Sequence, residues 1–427
     1  MYTNELKQQK QHTGLNLILV IATAAMLLPA LAGTVSAAPA IPDGDVTGLY
    51  DAIDAANASA NPTTIMLADG GTYILDNGTL VISTKITIQG NGATIDGNGQ
   101  PGVFFVGGPV ANLKLKNLTV TGGEAQGGGI SNQGGTVTLD NSTVTGNTAT
   151  FGSGGGIANA GGGTMILNSS TVSSNTAYNG GGGGIYNDSS TVILNSSTVS
   201  SNTAYDGGGI FNQGGTVTLN GSSSVNDNMA TLDGGGIYNL DGTVTLNDSS
   251  RVNENMATLD GGGIYNAQES TGPVIVILNG SSSVNNNTAD HGGGGIYNAS
   301  TLTLNGSSNV NHNTAVSFDG GGIYNAGTLT LNGSSSVNDN NTTGTANGGG
   351  IGNFGNVTLN DTSSVNHNTA DYGGGINNYY GTVTLNSSSS VNWNTATTSG
   401  GGIYNVSGTL NQNGGSVLHN TPNDIAP

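Results

Sequence analysis

Apolar and polar residues alternate in short runs along most of this chain, and each run ends in turn-forming residues. In the copy that begins at Gly207, Ile210 stands in an Ile-Phe-Asn segment, and a Gln-Gly-Gly turn follows it. Residues 216–220 then read Thr-Val-Thr-Leu-Asn, an alternation with the period of two expected for a half-buried β-strand. After a Gly-Ser-Ser turn, Val225 opens a third short segment, and residues 229–233 lead back to the next glycines. The pattern predicts three short strands in each copy and no helix.

This unit recurs through the chain as an internal repeat. Its clearest marker is Gly-Gly-Gly-Ile, which occurs in eleven copies with a usual spacing of 27 or 28 residues and a longest spacing of 32. A regular spacing over most of a chain predicts a solenoid in which each copy forms one coil. The isoleucines of the eleven copies are Ile130, Ile157, Ile185, Ile210, Ile237, Ile264, Ile296, Ile323, Ile351, Ile376 and Ile403.

Three short strands cannot bury an apolar face alone, but they can bury one by stacking on the neighbouring copies. In that arrangement Val217 lies over Val244, and Ile210 lies over Ile237. We therefore expect an all-β fold, a single-stranded parallel β-helix whose neighbouring coils are about 4.8 Å apart. A β-propeller needs about 40 residues for each blade, so the observed spacing disfavours that alternative.

Asparagine also repeats at two fixed positions of the unit. Amides that stack from coil to coil can form hydrogen-bonded ladders, and asparagine tolerates the unusual φ of a tight corner. We interpret both rows as structural rather than catalytic. One row contains Asn187, Asn212, Asn239, Asn266, Asn298 and Asn325, and the other contains Asn228, Asn255, Asn287 and Asn313.

The segment before the repeats has a different pattern. Leu49, Ala52, Ile53 and Ala56 are spaced as one apolar face of a helix, with Thr47 as the expected N-cap residue. A short helix here would cover the open edge of the first coil, as the terminal unit of a solenoid must. The predicted organisation is a signal peptide at 1–37, an N-terminal segment with the capping helix at 38–60, N-terminal coils at 61–126 and the eleven-copy repeat at 127–427.

The first residues have the layout of a cleaved secretory signal peptide. Lys7 and Lys10 precede an apolar run at 15–31, and cleavage is expected after Ala37. Polar residues interrupt the run, and it is shorter than the ~20 apolar residues of a membrane span, so a retained anchor is the less favoured alternative. No second apolar segment of that kind occurs, and we expect a mature protein that is secreted or lies at the cell surface.

Composition narrows the range of partners. Glycine accounts for 75 of the 427 residues, but the periodic apolar signal assigns it to turns rather than to disorder. The absence of cysteine leaves no disulfide framework and no thiolate metal site. With 25 acidic and 6 basic residues the formal net charge is −19, which opposes binding to nucleic acid and to anionic lipid.

Two parts of the chain resemble known β-helix proteins. Residues 49–58 and 64–67 are similar to the N-terminal entry of pectin-lyase-like proteins, and this resemblance implies a right-handed coil. The repeat resembles that of the polymorphic outer-membrane proteins, since residues 235–237 match their Gly-Gly-Ala-Ile-like motif. Residues 225–228 match their Phe-x-x-Asn motif, with valine in place of phenylalanine. Those proteins carry a β-barrel after the solenoid, whereas here residues 424–427 directly follow the last coil, so we expect a nearly bare C-terminal edge that is open to end-to-end self-association.

The most site-like feature is a row of aromatic residues, each directly after an inward isoleucine. These side chains should point outward and stack at steps of about 4.8 Å. Exposed rings of this kind can bind sugars through their faces, and the alternative is a self-stacking ladder that stiffens the solenoid. We expect the row to stop at Gly352 and Asn377, and the insertion at 267–273 lies within it as a candidate recognition loop. The candidate binding residues are Tyr186, Phe211, Tyr238, Tyr265, Tyr297 and Tyr324.

Acidic residues form a second row. Asp206, Asp233 and Asp260 each precede the glycines, and we consider them a candidate Ca²⁺ site. The alternative is a hydrated corner at which each short side chain caps backbone N–H groups. His291 is expected at the same position of a later copy, and no apolar pocket is evident that would raise a carboxyl pKa. Arg251, the only arginine, should point into solvent, which leaves a polysaccharide lyase without its base.

These observations predict a secreted or cell-surface protein with a structural and adhesion-type role, and not an enzyme. The expected partners are surface glycans or other cell-surface proteins, and no cofactor is expected apart from the candidate Ca²⁺. The alternative is a carbohydrate-active enzyme, a polysaccharide lyase or glycosidase of the pectin-lyase-like fold.

Overall fold

The computed structural model describes residues 39–267 and 274–427. The predicted signal peptide lies outside the described residues, and so does the candidate recognition loop apart from Ala267. The second compact unit, Ala40–Pro427, is an all-β parallel solenoid of about 13 turns with one short helix near its N-terminus. The predicted fold class is therefore confirmed, while the right hand of the coil stays a prediction from the resemblance.

The helix spans Val46–Asn57 and buries Leu49, Ile53 and Ala56 against the first coils. Its N-cap residue is Asp45, whose carboxylate accepts the Gly48 N–H at 2.9 Å. The prediction of Thr47 as the N-cap was wrong, because aspartate is the better capping residue and stands two positions earlier. The prediction that the helix packs on the first strands is confirmed, since it contacts Thr63–Met66 and Leu80–Ile82.

One coil of the repeat consists of four strands that belong to three sheets. In the coil that begins at Ile210 the strands are Ile210–Gln213, Thr216–Asn220, Ser224–Asn226 and Met229–Ala230. We name the sheets by the residue that points inward. The first strand belongs to the isoleucine sheet, the second and third to the valine sheet, and the fourth to the alanine sheet. The sequence pattern predicted three of these strands and missed the fourth, which is only two residues long.

The strands of neighbouring coils pair in parallel in all three sheets. In the described residues the isoleucine sheet has 14 strands, the valine sheet 26 and the alanine sheet 10. The isoleucine sheet consists of Leu80–Ile82, Phe104–Gly107, Ile130–Gln133, Ile157–Ala160, Ile185–Asp188, Ile210–Gln213, Ile237–Leu240, Ile264–Ala267, Ile296–Asn298, Ile323–Asn325, Ile351–Asn353, Ile376–Asn378, Ile403–Asn405 and Ile425–Ala426. The alanine sheet consists of Thr148–Ala149, Thr176–Gly181, Thr203–Asp206, Met229–Ala230, Met256–Ala257, Thr288–Ala289, Thr314–Ala315, Asn341–Thr342, Thr369–Tyr372 and Thr395–Ser399.

Each repeat coil contributes two strands to the valine sheet. In the N-terminal coils, one long strand, Lys85–Asp96 or Asn112–Thr121, takes the place of both. The valine sheet consists of Thr63–Met66, Thr72–Ile74, Lys85–Asp96, Asn112–Thr121, Thr136–Asp140, Thr143–Thr145, Thr164–Asn168, Thr171–Ser173, Thr191–Asn195, Thr198–Ser200, Thr216–Asn220, Ser224–Asn226, Thr243–Leu246, Arg251–Asn253, Ile275–Leu278, Ser283–Asn285, Thr301–Leu304, Asn309–Asn311, Thr328–Leu331, Ser336–Asn338, Asn356–Leu359, Ser364–Asn366, Thr382–Asn386, Ser390–Asn392, Thr409–Asn413 and Ser416–Leu418.

The register places equivalent residues directly over one another, as predicted. Ile210 pairs with Ile237, and Val217 pairs with Val244. These inward side chains are fully buried and form one continuous core along the solenoid. The glycines that precede each isoleucine are needed for close approach of the coils: a Cβ on Gly208 would meet the carbonyl oxygens of Met229 and Gly235.

Both predicted asparagine rows are hydrogen-bonded ladders. The first runs from Asn132 to Asn405, with each Nδ2 donating to the Oδ1 of the next coil at 2.7–2.9 Å. The second runs from Asn147 to Asn420 at 2.9–3.0 Å. An amide both donates and accepts, so a buried column of amides can satisfy itself from coil to coil. The structural interpretation of these two rows is therefore confirmed.

A third ladder was missed from the sequence. It runs from Asp140 to Asn413 and connects the asparagines at the strand ends, such as Asn220. The side-chain hydrogen bonds between successive coils are 2.7–3.1 Å long. Its amides donate toward the N-terminus, whereas those of the two inner ladders donate toward the C-terminus. The signal was the asparagine that closes most Thr-Val-Thr-Leu strands.

The C-terminal coil ends in a short strand. Ile425–Ala426 adds a strand to the isoleucine sheet, and the Asp424 carboxylate accepts from the Asn420 side chain at 3.0 Å, in the place of a further asparagine. This strand pairs only with Ile403–Asn405 among the described residues, so the nearly bare edge stays a prediction. In the valine sheet, Thr409–Asn413 and Ser416–Leu418 are the last described strands and pair on one side only.

Candidate functional site

The six predicted aromatic residues lie in one column on the outer side of the isoleucine sheet. Successive ring centroids are 4.7–4.8 Å apart from Phe211 to Tyr324, and 5.6 Å apart at the Tyr186 end. The parallel register causes this arrangement, because it places Tyr238 directly over Phe211 and under Tyr265.

The column continues past the predicted stop. Gly352 and Asn377 carry no ring, but Phe354 and Tyr379, each from further along the same strand region, fill the two places. The Phe354 ring lies 5.2 Å from that of Tyr324 and 4.5 Å from that of Tyr379. The predicted break was therefore wrong, because a ring anchored elsewhere can reach the stacking position. We call the resulting set the aromatic stripe: Tyr186, Phe211, Tyr238, Tyr265, Tyr297, Tyr324, Phe354 and Tyr379.

The rings of the aromatic stripe are half-buried, and neighbouring rings cover most of their faces. From Phe211 to Tyr324 the planes of neighbouring rings differ by 4–24°, so most ring faces lie against the next ring. Burial raises the pKa of Tyr297 to about 12, with smaller contributions from the neighbouring Tyr324 and Asp260. Uncharged, stacked rings of this kind favour the ladder interpretation over face-on stacking with a sugar.

The acidic row lies at the corner beside the aromatic stripe. Asp206 Oδ1 accepts the Asp233 N–H at 3.2 Å, and Asp233 Oδ1 accepts the Asp260 N–H at 2.9 Å. The next member of the column is Gly292, whose N–H donates to Asp260 Oδ1 at 2.8 Å. His291 does not take this position, because that coil has a fourth glycine before its isoleucine. The expectation that these side chains cap backbone N–H groups is confirmed.

These carboxyl groups have raised pKa values, contrary to the expectation from the sequence. Burial raises the pKa of Asp233 to about 6, partly offset by its backbone hydrogen bond to Asp260 and increased by the charges of Asp260 and Asp206. Burial also raises the pKa of Asp206 and of Asp260. The described residues contain no group of three or more His, Asp or Glu side chains arranged to hold a metal ion, so the candidate Ca²⁺ site receives no support.

A related corner near the end of the aromatic stripe is more enclosed. Asp319 is 8% exposed, and its Oδ1 accepts the Asn347 N–H at 2.9 Å. The Asn347 side chain donates to the Tyr379 hydroxyl, also at 2.9 Å. Burial raises the pKa of Asp319, and the hydrogen bonds lower it in part. Tyr379 therefore closes the stripe and covers this polar corner, a role that its position three residues after Ile376 did not reveal.

Large apolar side chains are exposed on a different side, on the strands of the alanine sheet or within three residues after them. This set, which we call the apolar face, was missed because its members do not share one position of the repeat. The only sequence signal was methionine where most copies have threonine. The members and their exposed fractions are Phe151 83%, Tyr178 64%, Tyr205 47%, Met229 38%, Met256 47%, Val316 38% and Phe318 56%.

Two shallow clefts, of about 210 and 290 Å³, lie in the N-terminal coils beside Lys85 and Phe105 and do not border the acidic row. Arg251 is exposed, as expected. None of the described helices has the length and apolar character needed to span a membrane.

These features define a class, a parallel β-solenoid with stacked polar and aromatic columns along its length. Residues 281–299 match the model of the Chlamydia polymorphic membrane protein repeat, and this segment contains Ser283–Asn285 and Ile296–Asn298. Together with the parallel solenoid, the match confirms the resemblance to β-helix proteins with repeats of the polymorphic membrane protein type. No curated protein and no solved structure matches the chain at a significant level.

Proposed function

We propose that this chain is a structural and adhesion-type protein that acts outside the cell or at its surface. The observation that carries the proposal is the solenoid of about 13 turns, in which residues 281–299 match the Chlamydia polymorphic membrane protein repeat. The word "membrane" in the name of that repeat supports a surface location, as does the predicted signal peptide.

The bonding pattern supports a rigid display element. Most coils of the repeat are joined to the next by three parallel sheets and three side-chain ladders, and eight rings add the aromatic stripe. Repeats that contact only their neighbours form extended, nearly uniform surfaces, which suit contact with a large partner better than chemistry on a small substrate.

Location is tested on intact cells of the native host. We expect protease added outside the cells to degrade the protein, or the protein to be present in the medium with an N-terminus at Ala38 by mass spectrometry. Full protection in intact cells, together with a retained residue 1–37 segment, would contradict the proposal.

Adhesion is tested with beads that are coated with residues 38–427 and added to cells of the native host. Coated beads should attach more strongly than beads coated with an unrelated solenoid of similar charge. Glycan recognition by the aromatic stripe is a further part of the proposal, and a glycan array decides it. If binding to wild type is absent, or is unchanged in Tyr238→Ala/Tyr265→Ala, the stripe has no role in sugar binding.

A carbohydrate-active enzyme is the second candidate, favoured by the row of three carboxyl groups in which burial raises the pKa of Asp233 to about 6. A glycosidase needs two carboxyl groups with different pKa values. Each of these groups already accepts a backbone N–H. Incubation with uronate-containing and neutral polysaccharides tests this candidate: cleavage that is lost in Asp233→Asn would support it.

A further inference from the structure

The apolar face runs without interruption from the coil of Tyr178 to that of Met256, and the next coil has Thr288 and Asp290 at these positions. Met229 pairs with Met256 in the alanine sheet, so the two side chains are neighbours on the outer surface. Tyr178, Tyr205 and Val316 each directly follow the inward alanine of their strand, whereas the methionines directly precede theirs. These five residues therefore belong to two adjacent columns on one surface. Phe151 and Phe318 lie just beyond the columns, and the Phe318 ring is 5.0 Å from that of His291 and tilted against it by 52°.

The same columns become polar beyond this region, which gives the apolar face a boundary. Asn341 and Thr369 continue the column of Met229 and Met256, and Thr343 and Asp371 stand at the positions of Tyr178 and Val316. Neither the fold nor the ladders require methionine or tyrosine here, since threonine serves the same strands elsewhere. Apolar patches of this kind on soluble proteins commonly mark interaction sites.

Charge around the apolar face is of one sign. Asp290 is exposed and directly follows Ala289, so it stands in the same column as Tyr205 and Val316. Asp206, Asp233 and Asp260 follow the face along the adjacent corner. Arg251 is the only Lys or Arg after residue 116, and it lies in the valine sheet. A matching partner must therefore bring positive charge, which a second copy of this acidic chain does not have in sufficient number.

The dimensions of the apolar face indicate the shape of the partner. The face extends over seven coils from Phe151 to Phe318, six of which contribute an apolar member, and six steps of about 4.8 Å give about 29 Å. An α-helix rises about 5.4 Å per turn, so a helix along the solenoid axis presents nearly one turn to each coil. About 19 helical residues cover the whole length. Methionine side chains adapt to the contours of such a helix.

We propose that the apolar face binds a cationic amphipathic helix of a partner protein, with its apolar side on Met229, Met256 and the flanking aromatic residues and with its Lys or Arg residues beside the aspartates. This inference deepens the proposed function, because it names the partner chemistry of one contact surface. It is nevertheless tested with purified protein, so the result does not depend on where the protein is found in the cell.

The test uses residues 38–427 and a fluorescent 19-residue amphipathic peptide made of leucine and lysine, with binding measured by anisotropy. We expect saturable binding that weakens as salt is raised. Met229→Ser/Met256→Ser should reduce the affinity about tenfold or more, because two apolar side chains lose their contacts. Asp290→Asn should reduce both the affinity and its salt dependence.

Matched controls separate this contact from general stickiness or unfolding. Asn341→Ser/Thr369→Ser changes two residues of the same column outside the apolar face and should leave binding unchanged. All variants should keep the wild-type melting temperature.

Four results would overturn the proposal. The first is equal binding of a leucine–glutamate helix or of a scrambled leucine–lysine peptide. The second is unaltered peptide binding by the Met229→Ser/Met256→Ser variant. The third is binding to phospholipid vesicles, but not to the peptide, through the two methionines. The fourth is a wild-type dimer in sedimentation that the methionine variant abolishes. A negative peptide result with the protein found at the cell surface contradicts this inference alone and leaves the proposed function standing.

Discussion

The aromatic stripe and the apolar face both consist of large side chains that point away from the core, yet their surroundings differ. In the stripe, rings from successive coils stack at 4.5–5.6 Å and every member is half-buried. On the apolar face, Tyr178, Tyr205 and Met256 are about half exposed or more, and no ring stack includes them.

The difference follows from regularity. A residue type that recurs at one position of a parallel solenoid becomes its own neighbour, so its contacts are satisfied within the chain. On the apolar face, Tyr178 and Tyr205 or Met229 and Met256 recur in only two successive coils, so no long column forms and these side chains remain in solvent. For this protein, strict repetition therefore indicates a structural role, and irregular exposure indicates a candidate contact surface.

The largest effect is expected when two central rings of the stripe are removed. Tyr238→Ala/Tyr265→Ala should lower the free energy of unfolding by about 4 kcal/mol, because each half-buried ring contributes about half of what a fully buried ring does. Chemical denaturation followed by circular dichroism measures it. Met229→Ser/Met256→Ser on the apolar face is the matched control and should change stability by less than about 0.5 kcal/mol. Equal losses in the two double variants would remove the distinction between the two surfaces.

The adjacent residues Tyr379 and Tyr380 provide a sharper pair. Tyr379 stacks on Phe354 and covers the Asp319 corner, whereas Tyr380 is 74% exposed. Tyr379→Ala should lower the free energy of unfolding by about 2 kcal/mol, because it exposes the end of the stripe and breaks the hydrogen bond to Asn347. Tyr380→Ala should have almost no effect. Hydrogen exchange should show the loss of protection in Tyr379→Ala confined to the coils around residues 347–379.

A smaller effect is expected from the acidic corner that borders both surfaces. The pKa of Asp233 is about 6 in the folded protein and about 3.9 in an unfolded chain, so the folded state binds the proton more tightly. The contribution of this group to the free energy of unfolding is therefore fully present below about pH 4 and is lost as the pH rises to about 6. After solvent screening, the loss is about 1 kcal/mol.

Asp233→Asn keeps an acceptor for the Asp260 N–H and removes the charge. We expect this variant to melt at a higher temperature than wild type at pH 7 and at the same temperature at pH 4. The exposed Asp290 provides the control, since Asp290→Asn should not change the difference between the two pH values. A variant that is more stable at pH 4 than at pH 7 by the same margin as wild type would contradict the assignment.

The smallest effect on stability should come from mild oxidation with hydrogen peroxide. Met229 and Met256 are exposed and should be converted to the sulfoxide, while Met165, which is fully buried, should be protected. Peptide mapping by mass spectrometry measures each site. The melting temperature should stay unchanged, because neither methionine of the apolar face contributes to the core. Oxidation of Met165 at the same rate would show that the coils open more readily than these contacts indicate.

Much of the solenoid could be predicted because parallel stacking converts spacing along the chain into contact in space. The inward columns of Ile210 and Val217 and the ladders through Asn212 and Asn228 follow from equal spacing alone. The fourth strand of each coil was missed, because two residues such as Met229–Ala230 are too short to show a period.

The errors share one physical cause: a side chain can occupy a place that its own position in the repeat does not indicate. Phe354 and Tyr379 filled the gaps expected at Gly352 and Asn377, and an additional glycine moved His291 away from the acidic column. Burial of Asp233 also depends on neighbouring coils, which is why its raised pKa could not be predicted from the sequence.

By itself, the sequence determined that equivalent residues of successive coils meet, because a constant spacing with alternating apolar residues has one simple solution, the parallel solenoid. Only the tertiary structure decided which outward side chains are covered and which are exposed. Coverage depends on ring orientation, on side chains that reach across positions and on the path of each corner, and these are set by packing in three dimensions rather than by spacing along the chain.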